Sequence, residues 1–290
     1  MQAGRASFYF PVNYKLLVVD VDGTLLSRTG ALRDEDRRHI AELKASGVPV
    51  AIATGRLYSG TRHVARDAGI LGPIACVDGS HIVDSRDDRV LYSHGLSGEK
   101  AHSVRKALER HGPASFLFAQ DEVVHDAEGE HYLGYVRSWS PTVSAVQKVV
   151  SHPFLEHEEG VHAIVAVGSE AQIKGAVEEI QGTLSEAAMV LSFALQKQAN
   201  TFAMIVRAAG SHKGTALRFL AAHYGCEPSD VVAVGDWIND VPMFQAAGRS
   251  FVMAQAPQAV KDAASDQLEA HAAQGGGVAE AIRKAWGKPY

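Results

Sequence analysis

The chain has 290 residues, 46% of them hydrophobic and 21% charged, which excludes a disordered or low-complexity protein and leaves room for about two domains. The 33 acidic residues against 28 Lys and Arg give a formal charge of −5, the wrong sign for a general nucleic-acid binder. Two cysteines, Cys76 and Cys226, match no zinc or disulfide spacing and read as small buried apolar residues of a reducing, cytoplasmic protein. Met1–Tyr14 lacks the apolar stretch of a signal peptide, and no apolar run approaches the roughly 18 residues that cross a bilayer. Neither nucleic acid nor membrane is therefore expected as a partner.

The β-branched run Tyr14–Asp20 predicts a buried strand that stops in the turn Asp20-Val-Asp22-Gly-Thr24. A polar helix follows over Asp34–Ser46, ended by Gly47, and then a strand over Val48–Ala53 that stops at Thr54-Gly55-Arg56. A helix over Tyr58–Ala68 leads to a third strand, Ile74–Val77, which stops at Asp78-Gly79-Ser80. Continuous apolar strands alternating with helices predict an α/β fold, a Rossmann-like, doubly wound parallel sheet.

The rhythm changes near residue 83. Ile82–Asp84 and Val90–Tyr92 flank a polar turn and predict a hairpin. A helix over Gly98–Arg110, strands over Ser115–Ala119 and Glu122–His125, and an unpatterned stretch to Pro153 come next. A strand over Ala163–Val167, a helix over Ala171–Gln181 and a strand over Met189–Ala194 complete an α+β insert. Residues 83–194 thus form the expected insert, and residues 1–82 and 195–290 a discontinuous core. His152, His157 and His162 read as part of a solvated loop. The core resumes with a strand over Phe202–Val206 and a helix capped by Ser211. Strands over Val231–Val234 and Phe251–Met253 and a closing helix over Gly277–Trp286 follow.

In an open α/β sheet, ligands bind beyond the carboxyl ends of the strands. Here those ends carry Asp20 and Asp22, Thr54, Asp78, and Asp236 and Asp240, while Lys213 opens a helix. Carboxylates converging on one crevice repel each other unless a cation neutralises them, and a donor set of oxygen alone points to Mg²⁺ rather than zinc. Lys213 and Thr54 then suit a phosphate, which requires positive charge and hydrogen-bond donors. Each motif alone has a bland reading, such as an Asx turn, a strand-ending glycine or a solvated helix lysine. Their occurrence together, in order and at strand ends, does not.

These motifs resemble those of the haloacid dehalogenase-like superfamily, specifically its Cof-type (type IIB) phosphatases. The resemblance rests on Asp20-Val-Asp22-Gly-Thr-Leu25, the Thr of Thr54-Gly-Arg56, Lys213, and Gly235-Asp236 with Asn239-Asp240. The location of the insert, between the second and third motifs, matches the substrate-selecting α/β cap of that subfamily. The resemblance implies a phosphatase that hydrolyses a small phosphorylated metabolite, a sugar phosphate first among them, through an aspartyl-phosphate. Asp20 would be the nucleophile and Asp22 the general acid and base. Thr54, Lys213, Gly55, Arg56, Asp78, Gly79 and Asn239 would contact phosphate or substrate. Asp20, the Asp22 backbone carbonyl and Asp236 would hold Mg²⁺, with Asp240 supporting that shell. A phosphomutase and a non-catalytic metabolite-binding module share the same core and stand as alternatives. Three positions depart from the family pattern: Asp78 in place of an amide, Trp237 in place of a small residue, and Gln255 in place of Asn. In the insert, Tyr132, Tyr135, Arg137 and Trp139 are expected mainly to pack the core.

Overall fold

Leu16–Val19 is buried on every side, as a central strand of a sheet covered on both faces must be. The computed structural model describes residues 14–137, 139–195 and 198–287, so the segment before Tyr14, read above as carrying no signal peptide, lies outside the described residues. The strands are β1 (Leu16–Val19), β2 (Val50–Ala53), β3 (Pro73–Cys76), β4 (His81–Asp84), β5 (Arg89–Ser93), β6 (Ala114–Ala119), β7 (Glu122–His125), β8 (Val143–Ala145), β9 (Ala163–Gly168), β10 (Ala188–Ala194), β11 (Phe202–Ala208), β12 (Val231–Gly235), β13 (Arg249–Val252) and β14 (Asp266–Gln267). The first sheet runs β14-β13-β12-β1-β2-β3-β4-β5, parallel except for the antiparallel β4 and β5. The second runs β10-β11-β9-β6-β7-β8 and is antiparallel except where β7 meets β8. The chain is α/β, as expected.

The two-residue period of a strand sorts its side chains onto two cores. Leu17 and Val19 join Ile40, Val64 and Ile282 on one face of the first sheet. Leu16 and Val18 join Leu217, Leu220 and Met243 on the other. In the second sheet, Leu117, Ile164, Met204 and Val206 pack on the helices Gly98–His111 and Glu170–Leu184 through Val104, Leu108, Ile173 and Ile180. The opposite face of that sheet presents Phe118, Val165 and Ile205, with which the cavity described below is built.

Sheet membership moves both expected boundaries of the insert. The hairpin at 81–93 belongs to the first sheet, where β4 pairs with β3 through Ile74 and Val83 and buries Ile82 and Val83 in the core. β11, expected in the core, lies between β9 and β10 of the second sheet, which satisfies its backbone on both edges. The second sheet and its helices therefore occupy roughly residues 98–208 rather than 83–194. The helix Lys213–His223 is capped by the His212 ring, which accepts from the amides of Gly214 and Thr215 at 3.2 and 3.3 Å, and not by Ser211. His162 is not solvated either: in the bend just before β9 it is buried, stacks on His81 at 4.6 Å and shares a 2.9 Å hydrogen bond with Ser93. Burial lowers its pKa to about 3, so it is neutral there at ordinary pH. Both cysteines are buried thiols, as expected, and burial pushes each upward.

The closing helix, Gly277–Trp286, begins at Gly276 with no capping side chain of its own. Asp36, on the helix Asp34–Ala45, supplies the cap instead: its fully buried carboxylate accepts from Ala279 N at 2.7 Å and Gly276 N at 3.0 Å. Asp36→Ala orphans both amides, and chemical denaturation is expected to show a loss of about 1–3 kcal/mol. An unchanged unfolding midpoint would mean that water satisfies these amides equally well.

Candidate active site

β1 lies between β12 and β2, so the chain leaves it in opposite directions and a crevice opens beyond its carboxyl end. Asp20 is the first residue past β1 and Asp236 the first past β12. Lys213 enters from the start of its helix and donates to Asp20 Oδ1 and Asp240 Oδ1, each at 2.6 Å. All three side chains are almost wholly buried. Asp240 Oδ2 accepts from the amides of Asp236 and Trp237 at 2.8 and 2.9 Å, so both of its oxygens are engaged and it fixes the turn that aims Asp236. Gln255 finishes that placement. Its amide nitrogen donates to Asp236 Oδ2 at 3.0 Å and to the Gly23 carbonyl at 2.8 Å, while its carbonyl accepts from Ala272 N. Gly23 is required at this point, since its φ is +81° and a Cβ would lie 2.3 Å from Asp236 Oδ2.

The electrostatics follow from the burial. Loss of solvent pushes the Asp20 carboxyl up; Lys213 opposes that shift, and Asp240, Asp236 and Asp22 add to it. Asp236 is likewise pushed up to about 6 by burial, against its hydrogen bond from Gln255 and with repulsion from Asp240. Burial alone would discharge Lys213, but Asp20 and Asp240 outweigh it and keep the ammonium charged. Carboxylate oxygens of Asp20, Asp236 and Asp240 lie within 4.8 Å of one another. Three carboxylates against one ammonium leave two negative charges, and the donors are all hard oxygens. Lys213 takes only one Asp20 oxygen, and the other has no protein partner among the described residues. The donor set therefore fits a small divalent cation such as Mg²⁺.

A cavity of about 920 Å³ lies over this cluster, between the two sheets, and Asp20, Asp22, Gly55, Asp78, Asp236 and Asn239 line it. Lys213 and Asp240 sit behind Asp20. Thr54 is fully buried at the end of β2, its hydroxyl accepting from Arg56 N at 3.2 Å. Arg56, expected to face phosphate, instead grips Asp22 through Nε at 2.7 Å and Nη2 at 2.5 Å, and donates to the Gly60 carbonyl. Gly79 is not in the lining: a Cβ there would meet Ala216 Cβ at 2.9 Å, so it serves packing against the Lys213–His223 helix. Asp78, buried with φ +53°, accepts from Asn239 Nδ2 at 2.9 Å and pairs with Arg207. Tyr132, Tyr135 and Trp139 line the cavity as well as touching the core, whereas Arg137 is exposed and lies outside it.

Arg207 was not anticipated. It lies on β11 two residues after Ile205, on the cavity face of the second sheet, and its pairing with Asp78 joins that sheet to the first. A charged residue ending the otherwise apolar run Phe202–Ala208 was the available signal, since a strand buried on both faces has no use for one.

A profile of haloacid dehalogenase-like hydrolases matches residues 17–282, which spans every element of the site. The chain belongs to that family. Among relatives of this hydrolase, pyridoxal phosphate phosphatase YbhA of Escherichia coli is 24% identical over 85% of this chain and 90% of its own. The 5-amino-6-(5-phospho-D-ribitylamino)uracil phosphatase YcsE of Bacillus subtilis is 26% identical over 94% and 96%. Solved structures share the fold: a haloacid dehalogenase-like hydrolase of Bacteroides thetaiotaomicron superposes with a TM-score of 0.78 at 21% identity, covering 93% of this chain and 99% of that one. The subclass IIB sugar phosphatase BT4131 gives 0.75 at 20% identity, covering 94% and 99%.

In this hydrolase the contact between Gly23 and Asp236 offers a test that spares every charged group. Gly23→Ala must displace the Asp236 carboxylate, and calorimetric titration with Mg²⁺ is expected to show affinity weakened by about 10–100-fold. Affinity equal to the parent would place the cation away from Asp236.

Proposed function

We propose that this protein is a Mg²⁺-dependent phosphomonoesterase that acts through an aspartyl-phosphate on Asp20. Its class is that of a haloacid dehalogenase-type phosphatase acting on small phosphorylated metabolites. The observation that carries the reading is the Asp20–Lys213–Asp240 cluster with Asp236 beside it, placed on the floor of a cavity large enough for a metabolite. The two named relatives, which act on pyridoxal phosphate and on a phosphoribitylamino-uracil by their names, support it.

Lys213 orients the Asp20 carboxylate through Oδ1, so that one carboxylate oxygen attacks phosphorus while the other would face the cation. As the Asp20–phosphorus bond forms, the bond from phosphorus to the ester oxygen breaks, and Asp22 gives its proton to that departing oxygen. Asp22 lines the same cavity, and in the structure its carboxylate is held by Arg56, so it must leave that partner to act. Asp22 then takes a proton from water, which attacks the phosphorus and restores the Asp20 carboxylate with release of phosphate. Thr54, the Gly55 backbone and Lys213 supply donors and positive charge to the phosphoryl oxygens. Asn239 sits at the same rim. Mg²⁺, held by Asp20, the Asp22 carbonyl and Asp236 with Asp240 behind them, would offset the repulsion between the carboxylates and a phosphate dianion.

Asp20→Asn keeps the shape of the site and removes the nucleophile. Release of inorganic phosphate across a panel of phosphorylated sugars, nucleotides and cofactors is expected to fall by at least about 10³-fold, and an acid-quenched parent enzyme to carry phosphate on Asp20 by mass spectrometry. Activity that survives Asp20→Asn, or isomerised product without free phosphate, would overturn the reading.

A further inference from the structure

The walls of the cavity carry a broad apolar surface. On the side of the second sheet, Phe118, Val165, Phe193 and Ile205 face inward with Trp139 beside them. On the side of the first sheet stands Trp237, whose indole is 45% exposed although its backbone is pinned by Asp240. Six large apolar side chains are exposed among the described residues, and three of them (Trp237, Ile238 and Leu191) line this one cavity. Apolar surface left in water at a concave site is unfavourable until something covers it. Each hydroxyl of a sugar needs a polar partner once it is desolvated. Three polar side chains of the lining are already engaged with one another, Asn239 with Asp78 and Asp78 with Arg207. The lining also carries the polar side chains of His131, Tyr132, Tyr135 and Gln198, so its apolar surface is concentrated on the second sheet and at Trp237.

We infer that the cavity selects a flat aromatic leaving group, stacked on Trp237, over the polyhydroxylated one that the family resemblance implies. This inference rests on the phosphatase reading of the same site and names its substrate class. An aromatic ring meets the exposed indole face to face or edge on, with an attraction beyond the area it covers. A sugar ring would leave hydroxyls against Phe118, Phe193 and Ile205.

The test compares two esters that both release a primary alcohol, naphthylmethyl phosphate and glucose 6-phosphate, so that leaving-group acidity does not decide the result. With Mg²⁺ present, kcat/KM is expected to be at least about tenfold higher for the aromatic ester. Trp237→Ala is expected to raise KM for that ester by roughly 3- to 10-fold, with kcat for it and kcat/KM for glucose 6-phosphate within about twofold of the parent. Trp237→Phe should restore most of the loss. A higher kcat/KM for glucose 6-phosphate, or an equal loss on both esters in Trp237→Ala, would overturn the inference and leave the phosphatase reading standing. If neither ester is hydrolysed by the parent protein, nor any member of the wider panel, the phosphatase reading falls and the inference with it.

Discussion

A single buried ammonium organises this molecule. Lys213 is 1% exposed and donates at 2.6 Å to two carboxylates that are themselves buried, Asp20 from the end of β1 and Asp240 from the turn after β12. An ion taken out of water costs several kcal/mol, and only close, well-directed counter-charges offset that cost. The arrangement therefore requires three separated segments of chain to meet within a hydrogen-bond length. The parallel sheet makes this possible because β1 and β12 are neighbours in register, Val19 beside Val234. The His212 cap aligns the helix that delivers Lys213.

The same cluster is left with unmatched negative charge. Asp236 has no cation among the described residues, and its neighbours Gly23 and Gln255 hold it in place by absence and by hydrogen bonding respectively. A site that is rigid, acidic and under-compensated is built to attract a cation and, through it, an anion. This resolves the apparent conflict between a chain of net charge −5 and a phosphate-bearing ligand. The second sheet closes the site from above with an apolar face, and the Arg207–Asp78 pair is, among the described residues, its one ion pair with the first sheet's side of the cavity lining.

Much of this was legible in the sequence, for a physical reason. A buried parallel strand is a continuous apolar run, and the sharp turn after it exposes whatever chemistry the site needs, so Asp20, Thr54, Asp78 and Asp236 stand out as polar punctuation. Lys213 was legible through its place at the head of a helix. What remained hidden depended on pairing between distant segments. Nothing local in Phe202–Ala208 says that this strand joins β9 and β10, so the charge of Arg207 stood out in the run without showing what it faces. The hairpin 81–93 likewise reads as the start of something new until its pairing with β3 is seen. His162 and Asp36 are polar residues whose partners, Ser93 and the amides of Gly276 and Ala279, come from far along the chain. Arg56 was legible as a site residue, but its grip on Asp22 was not.

The central claim is that the Asp20–Asp236–Asp240 cluster is completed by a divalent cation. Thermal unfolding with Mg²⁺ and with a chelator, on the parent and on Asp236→Asn, tests it most directly. A cation that binds only the folded protein adds about 2.7 kcal/mol of stability at 100 times its dissociation constant. The parent should therefore melt several degrees higher with Mg²⁺ than with chelator, and Asp236→Asn should melt at the same temperature in both. Equal melting of the parent in the two conditions would contradict the account.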